Sequence, residues 1–373
     1  MSGPRLLWQN YATLGGAAIG ASSAYPTMPA RRLRDQIRSN RWRSASGWTV
    51  VAGFNDGLDV EMDGSTYACL LAEGTYATGD EMAAAVQDAL EEAFEYVAGT
   101  WSVTYDADDY VFTIAHDTTV FALLWSSGAS AGFSCGRDLG FDVDADYEGF
   151  YLSHTGETAV YQSRHYLAFD FGSALGVKAA VIFDHNAGED GAFTVQGAAS
   201  AEDSLVDPTV SSALDSTGYL STFRAHLFSA EQSYRYWSIV IDDVENTDGY
   251  SEIGLVYLGS WLEFDYRLGG MDRSPVDYSG VAYADQGAQY QDRRQSTRAW
   301  DISLVPQELS VADGFDEVFA EIRIGGNFFF IPEPDRSPLR VLYGFMPEAP
   351  KIAERDAGVD VWDIQFGFQE ALG

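Results

Sequence analysis

Residues 236–264, YWSIVIDDVENTDGYSEIGLVYLGSWLEF, decide the fold. Trp237, Ile239 and Ile241, interleaved with Tyr236, Ser238 and Val240, form an aromatic and β-branched run of strand length. The segment 242–249, DDVENTDG, is too polar to pack as a strand and ends in the Asp-Gly pair that tight turns favour. Ile253, Leu255, Val256, Tyr257 and Leu258 then return the chain to a core, followed by Trp261 and Phe264. The stretch therefore predicts two strands joined by an acidic turn.

Working outward, W-x-I-x-I at 237–241, the turn closing on Gly249-Tyr250, and E-I-G-x-x-x-L-G at 252–259 together resemble discoidin-like (galactose-binding-like) jelly rolls. More narrowly, they resemble the form found in tail proteins of bacteriophages. Two earlier segments carry the same resemblance: Ser22-Ser23-Ala24-Tyr25-Pro26 and Arg41-Trp42-Arg43-Ser44. Alternating Leu167, Phe169 and Phe171, the run 177–183 and Phe193-Thr194-Val195 add further strands. The resemblance implies a jelly roll split into residues 1–53 and 156–268.

The interruption, residues 54–155, has α+β periodicity. Leu58, Val60 and Met62 alternate, and residues 67–71 form a second strand. Thr78 and Glu81 make a capping box for a helix whose inner face is Met82, Val86, Ala89, Leu90, Ala93 and Val97. Trp101, Val103 and Tyr105 alternate into an acidic turn, and Tyr110, Phe112 and Ile114 alternate back. Beyond the jelly roll, residues 269–290 read as a Gly-, Asp- and Ser-rich linker. The remainder of 269–373 reads as β-rich with one helix built on Phe315, Val318, Phe319 and Ile322, and it resembles the β-rich assembly domains of phage tail-hub and baseplate proteins. The expected class is mainly β with α+β parts: a discoidin-like sandwich carrying an inserted small α+β domain, followed by a C-terminal β-rich domain.

Composition narrows the function. A chain of 373 residues with 46% hydrophobic and 14% aromatic content supports well-packed β structure and two or three cores. The net charge of −34 argues against nucleic acid or an anionic membrane surface as partner. No apolar run reaches the length of a membrane span, and residues 1–16 lack a signal-peptide core. Cys69 and Cys135 are too few for a disulfide framework and are expected as buried thiols.

Against that charge, Arg31, Arg32, Arg34, Arg38, Arg41 and Arg43 gather in residues 30–44 beside a single Asp35. Guanidinium forks suit ion pairs at interfaces. Arg31, Arg32, Arg34 and Arg38 are therefore assigned to a contact with an acidic neighbouring subunit. Asp242, Asp243 and Asp248 are the candidate ligands for a structural calcium, because discoidin-like folds often hold a cation; no other cofactor is expected.

Sequences that mimic catalytic or metal motifs lack what the chemistry requires. Gly128-Ala129-Ser130-Ala131-Gly132 matches G-x-S-x-G, but no helical face follows to present the serine. Asp142, Asp144 and Asp146 imitate an EF-hand start, yet position six is Tyr147 and position twelve is Ser153. The five histidines are scattered without metal spacing. No catalytic set is assigned and the protein is expected not to be an enzyme. The resemblance implies a symmetric homo-oligomer in a phage tail, tail tip or baseplate, assembled in the host cytoplasm and partnered by itself and other tail proteins. The alternative is a module that binds host surface glycans through loop aromatics and polar groups.

Overall fold

The computed structural model describes residues 3–14, 16–34, 39–188, 190–216, 223–264, 268–277, 279–283, 289–292, 296–356 and 360–371. Among these, β-structure dominates, and a 15-stranded sheet runs through the molecule. Every ladder between named strands is antiparallel.

Two long strands make the sandwich. His165–His185 and Phe223–Asp242 pair along most of their length, with register breaks between Asp170 and Leu175 and between Val177 and Ala179. Gly172, at φ +76, supplies the left-handed backbone at the first break. Before it, Leu167 pairs with Ile239 and Phe169 with Trp237, flanked by Ala18–Ala21 and Ala192–Ala198. After it, Ile182 pairs with Arg224 and Val256, flanked by Glu252–Glu263. The bend carries each strand from one sheet into a second, and the apolar alternation of both halves points into the space between. Leu167, Phe169, Trp237 and Ile239 meet Ile182, Ile253, Val256 and Leu258 there, around the fully buried Trp42. Each such large side chain contributes on the order of 1.5–3 kcal/mol by burial.

The two strands expected from residues 236–264 are present, but the first is a 20-residue strand starting at Phe223. They are not hydrogen-bonded to each other, since His165–His185 lies between them. The acidic turn therefore crosses from one sheet to the other at the end of the sandwich.

The C-terminal part is not joined by a linker. Leu268–Val276 pairs with Thr297–Glu308 as the edge strand of the large sheet. Its solvent-facing polarity is what reads as linker, and Pro275 is tolerated because an edge strand has one free side. Nor does this part have a core of its own residues alone. Arg5–Asn10 pairs with Glu252–Glu263 on one side and Asn327–Ile331 on the other, fusing sandwich and C-terminal sheet. Leu6 and Phe264 then pack with Phe328, Phe330, Phe366 and Phe368 under helix Leu309–Ile322, which contributes Val311, Phe315 and Val318.

Leu7, the neighbour of Leu6, faces the opposite side with Val181, Phe183, Phe223, Tyr257, Phe329 and Tyr343. The strands bearing Phe183 and Tyr343 are four spacings apart in the sheet order. Flat, that is roughly 19 Å, yet their ring centroids are 5.5 Å apart. Phe223 and Phe329, also four strands apart, are at 6.3 Å. The sheet curls on itself, so the face a sandwich normally leaves to solvent becomes a second dry interior.

The interrupting unit has a separate core running from Trp48 and Val50 to Val160. Helix Gly79–Ala93 covers three small sheets, with Met82, Val86, Ala89 and Leu90 buried as the periodicity requires. Thr78 Oγ1 accepts from Glu81 N at 3.2 Å, and Glu81 Oε2 accepts from Ala77 N at 2.7 Å. Cys69 and Cys135 are buried free thiols. A carboxylate joins this unit to the sandwich. Asp138, wholly buried, accepts from Arg164 N (2.6 Å), Arg164 Nε (3.3 Å) and Asn55 Nδ2 (2.7 Å).

Candidate functional site

The three segments that carried the resemblance converge at one end of the sandwich. Trp42 buries its ring in the core and donates its indole N–H to Ser23 O at 3.1 Å. Tyr25 N donates to Arg43 O at 2.8 Å and Arg43 N to Met28 O at 3.1 Å, fixing the 22–28 loop against the 42–43 strand. That strand pairs Arg43 with Glu252 and Trp42 with Ile253, and Ser44 N donates to Ser251 O at 2.9 Å. With Trp42 pointing inward, strand alternation puts Arg41 and Arg43 on the outer side.

Arg41 and Arg43 have opposite fates. Arg41 Nη1 donates to Glu252 Oε1 at 2.6 Å and Nη2 to Asp184 Oδ2 at 2.7 Å, so its charge is matched twice over. The Arg43 guanidinium instead stacks on Tyr250 at 3.4 Å and lies 5.2 Å from the Tyr25 ring. Its Nε is buried without an acceptor among the described residues. Tyr25 is 44% exposed. The cluster thus offers a planar guanidinium bracketed by two tyrosines, of which Tyr25 is open to solvent.

Asn186 clamps the facing turn. Its Nδ2 donates to Asp248 Oδ2 at 2.9 Å and Tyr250 O at 3.0 Å, and its Oδ1 accepts from Glu252 N at 2.7 Å. Asp184 and Asn186 follow the apolar run 177–183 and carried no assignment from the sequence. The signal that would have found Asp184 is its position at the end of a strongly apolar strand, where it holds φ +63. Next to it, burial and the nearby Arg224 hold His185 down at about 4.

The predicted calcium ligands are not gathered. Asp242 accepts from Arg137 Nε at 3.2 Å, which ties the turn to the inserted unit. Asp243 is buried and accepts from Gly188 N and Asn246 Nδ2, and burial pushes its carboxyl above the usual range. Asp248 serves Asn186. Among the described residues no three His, Cys, Asp or Glu side chains group to hold a metal. The turn is a docking element instead of a solvated loop. Val244 enters the core of the inserted unit, its carbonyl accepts from Tyr161 N at 2.8 Å, and Gln162 Nε2 donates to Asp243 O at 2.8 Å.

Of the predicted interface arginines, Arg31 and Arg34 are exposed and Arg32 is half-buried in a short 3-10 turn, Ala30–Arg34; Arg38 lies outside the described residues. None of the first three forms an ion pair among the described residues. The motif mimics are accounted for locally. Ser130 Oγ donates to Asp59 Oδ1 at 3.2 Å, and Asp146 caps the Ser126–Ser127 turn by accepting from both amides.

No protein-family model matches the chain, and no curated protein matches it. Among solved structures, it is similar to a family 32 carbohydrate-binding module of C. perfringens NanJ in complex with galactose, at 8% identity and TM-score 0.28, covering 68% of this chain and 98% of that one. It is similar to a chitosan-binding module of a chitosanase/glucanase from Paenibacillus, at 14% identity and TM-score 0.20, covering 32% and 86%. A third likeness is to an f-lectin from striped bass (Morone saxatilis) serum, at 9% identity and TM-score 0.21, covering 58% and 85%. At such scores and identities they say nothing about what this chain binds.

Proposed function

We propose that the protein binds carbohydrate, without turnover, at the Tyr25–Arg43–Tyr250 end of the sandwich. The observation that carries this is the Arg43 guanidinium, stacked on Tyr250 and in no ion pair among the described residues, beside the open Tyr25 ring. A sugar presents an apolar C–H face and a rim of hydroxyls. An aromatic ring complements the first and a fixed fork of N–H donors the second. Arg41 bridges Asp184 and Glu252, and Arg43 pairs with neither. The test is a glycan array probed with the full chain, repeated with Arg43→Met, which keeps the side-chain length and removes the donors. Loss of a hydrogen-bonded charged partner costs about 1.5–3 kcal/mol, so binding should fall by roughly ten- to a hundredfold at unchanged melting temperature. An array with no hits, or unaltered binding by Arg43→Met, would overturn the proposal.

A second reading is a self-assembling structural component of a phage tail, tail tip or baseplate. It is supported by exposed Arg31 and Arg34, which lack ion pairs among the described residues of a chain with net charge −34. Replacing Arg31, Arg32 and Arg34 together by Glu should then abolish oligomers seen by sedimentation in low salt. A monomeric wild type, or oligomers that survive the reversal, would eliminate it.

A further inference from the structure

Resting on the carbohydrate reading, we infer that the binding surface extends onto the inserted unit, where Tyr110 and Tyr161 form a second aromatic platform, and that the ligand is a glycan chain of several sugar residues. The hairpin Trp101–Asp106/Val111–His116 ends in a turn in which Asp106 Oδ1 accepts from Asp108 N and Asp109 N. Its last residue, Tyr110, sits at φ +61. That left-handed region suits Gly or Asn and costs a bulky residue on the order of 1 kcal/mol. Tyr110 is 37% exposed at this position. The ring lies 4.4 Å from that of Tyr161 at 36°, a tilted aromatic pair.

The platform is contiguous with the sandwich end. Tyr110 O accepts from Val160 N at 2.8 Å, and Tyr161 N donates to Val244 O at 2.8 Å, so the pair is pinned to the acidic turn. A side chain at Gly249 would come within 3.8 Å of Tyr161 O, and Gly249 is the residue before Tyr250, which stacks on Arg43. Gly249, at φ +68, also accepts at its carbonyl from Gly47 N. Tyr25, Arg43 and Tyr250 on one side and Tyr161 and Tyr110 on the other therefore flank a single turn. One sugar ring occupies one such aromatic face; two faces on either side of a turn fit consecutive residues of a chain.

The test titrates the full chain calorimetrically with gluco-, galacto-, manno- and chito-oligosaccharides of graded length, from the monosaccharide upward. The variant is Tyr110→Asn, because Asn occupies the left-handed region and keeps the turn. Affinity of the wild type should rise with chain length. Tyr110→Asn should weaken the longer oligosaccharides by roughly three- to tenfold and leave the monosaccharide unchanged. Arg43→Met should weaken all lengths. Tyr110→Asn binding long chains like the wild type, or losing affinity equally at every length, would overturn the extension while leaving the Arg43 site standing. Binding of no probe by the wild type would overturn both.

Discussion

Removing the Asp138 carboxylate should uncouple the inserted unit from the sandwich at a cost of about 3 kcal/mol. The magnitude follows from what its partners would have left. Arg164 would lose both bonds to Oδ1 and retain only Ser134 O, at 2.7 Å, and the face of Phe54. Its side chain is 19% exposed, so water reaches it in part and the cost falls at the low end of roughly 3–5 kcal/mol for breaking a buried pair. Asn55 would keep Thr49 O as acceptor while its Oδ1 still accepts from Val51 N, so it cannot turn over to recover the lost bond. Burial raises the Asp138 carboxyl above the usual range, opposed by Arg164. Desolvation of the ion thus offsets part of the attraction, and the pair matters more when broken than when deleted whole. Equilibrium urea unfolding of Asp138→Ala, Arg164→Met and the double variant measures this. The double variant should be less destabilised than the sum of the singles by about 1–2 kcal/mol, because no uncompensated guanidinium remains. Additive losses, or an Asp138→Ala cost below about 1 kcal/mol, would refute the hub.

Two further predictions concern the interiors. His165 and His185 are held down at about 3 and about 4 by burial, below an unfolded value of 6.5. Between those values the unfolded chain binds more protons, so stability rises with pH and is lost on acidification below 6.5, at about 1.4 kcal/mol per pH unit for each histidine. His165→Gln should flatten the fall in melting temperature between pH 6.5 and 4.5, and an unchanged slope would contradict it. Phe223→Ala should cost about 3–5 kcal/mol in urea unfolding, because Phe223 stacks on Phe183 at 3.9 Å inside the curl and leaves a void that rigid strands cannot collapse. A loss near that of an exposed aromatic would mean the curl is open.

Local signals in the sequence were reliable where neighbours in the chain decide the outcome. The Thr78 cap on Glu81 N, the Trp101–Ile114 hairpin and the buried helix face from Met82 to Leu90 formed as read, while Glu81 reaches back to Ala77 N instead of Thr78 N. The segments at 22–26, 41–44 and 252–259, which carry one resemblance, meet at one place. The misreadings share one cause: polarity was taken as solvation. Leu268–Val276 looks like a linker because an edge strand shows one face to water. Asp242 to Asp248 looks like a cation loop, but Asp242, Asp243 and Asp248 are spent on Arg137, Gly188, Asn246 and Asn186.

By itself, then, the sequence determined the mainly β class and many of the local elements, since strand alternation and helix caps are properties of a few consecutive residues. Only the tertiary structure decided how the 236–264 stretch is used. Its strands are parted by His165–His185, its turn docks Val244 into another core, and Tyr250 takes Arg43 on its face. Those outcomes depend on residues far apart in the chain, whose mutual placement is fixed by which faces must be buried together and which donors are left without acceptors.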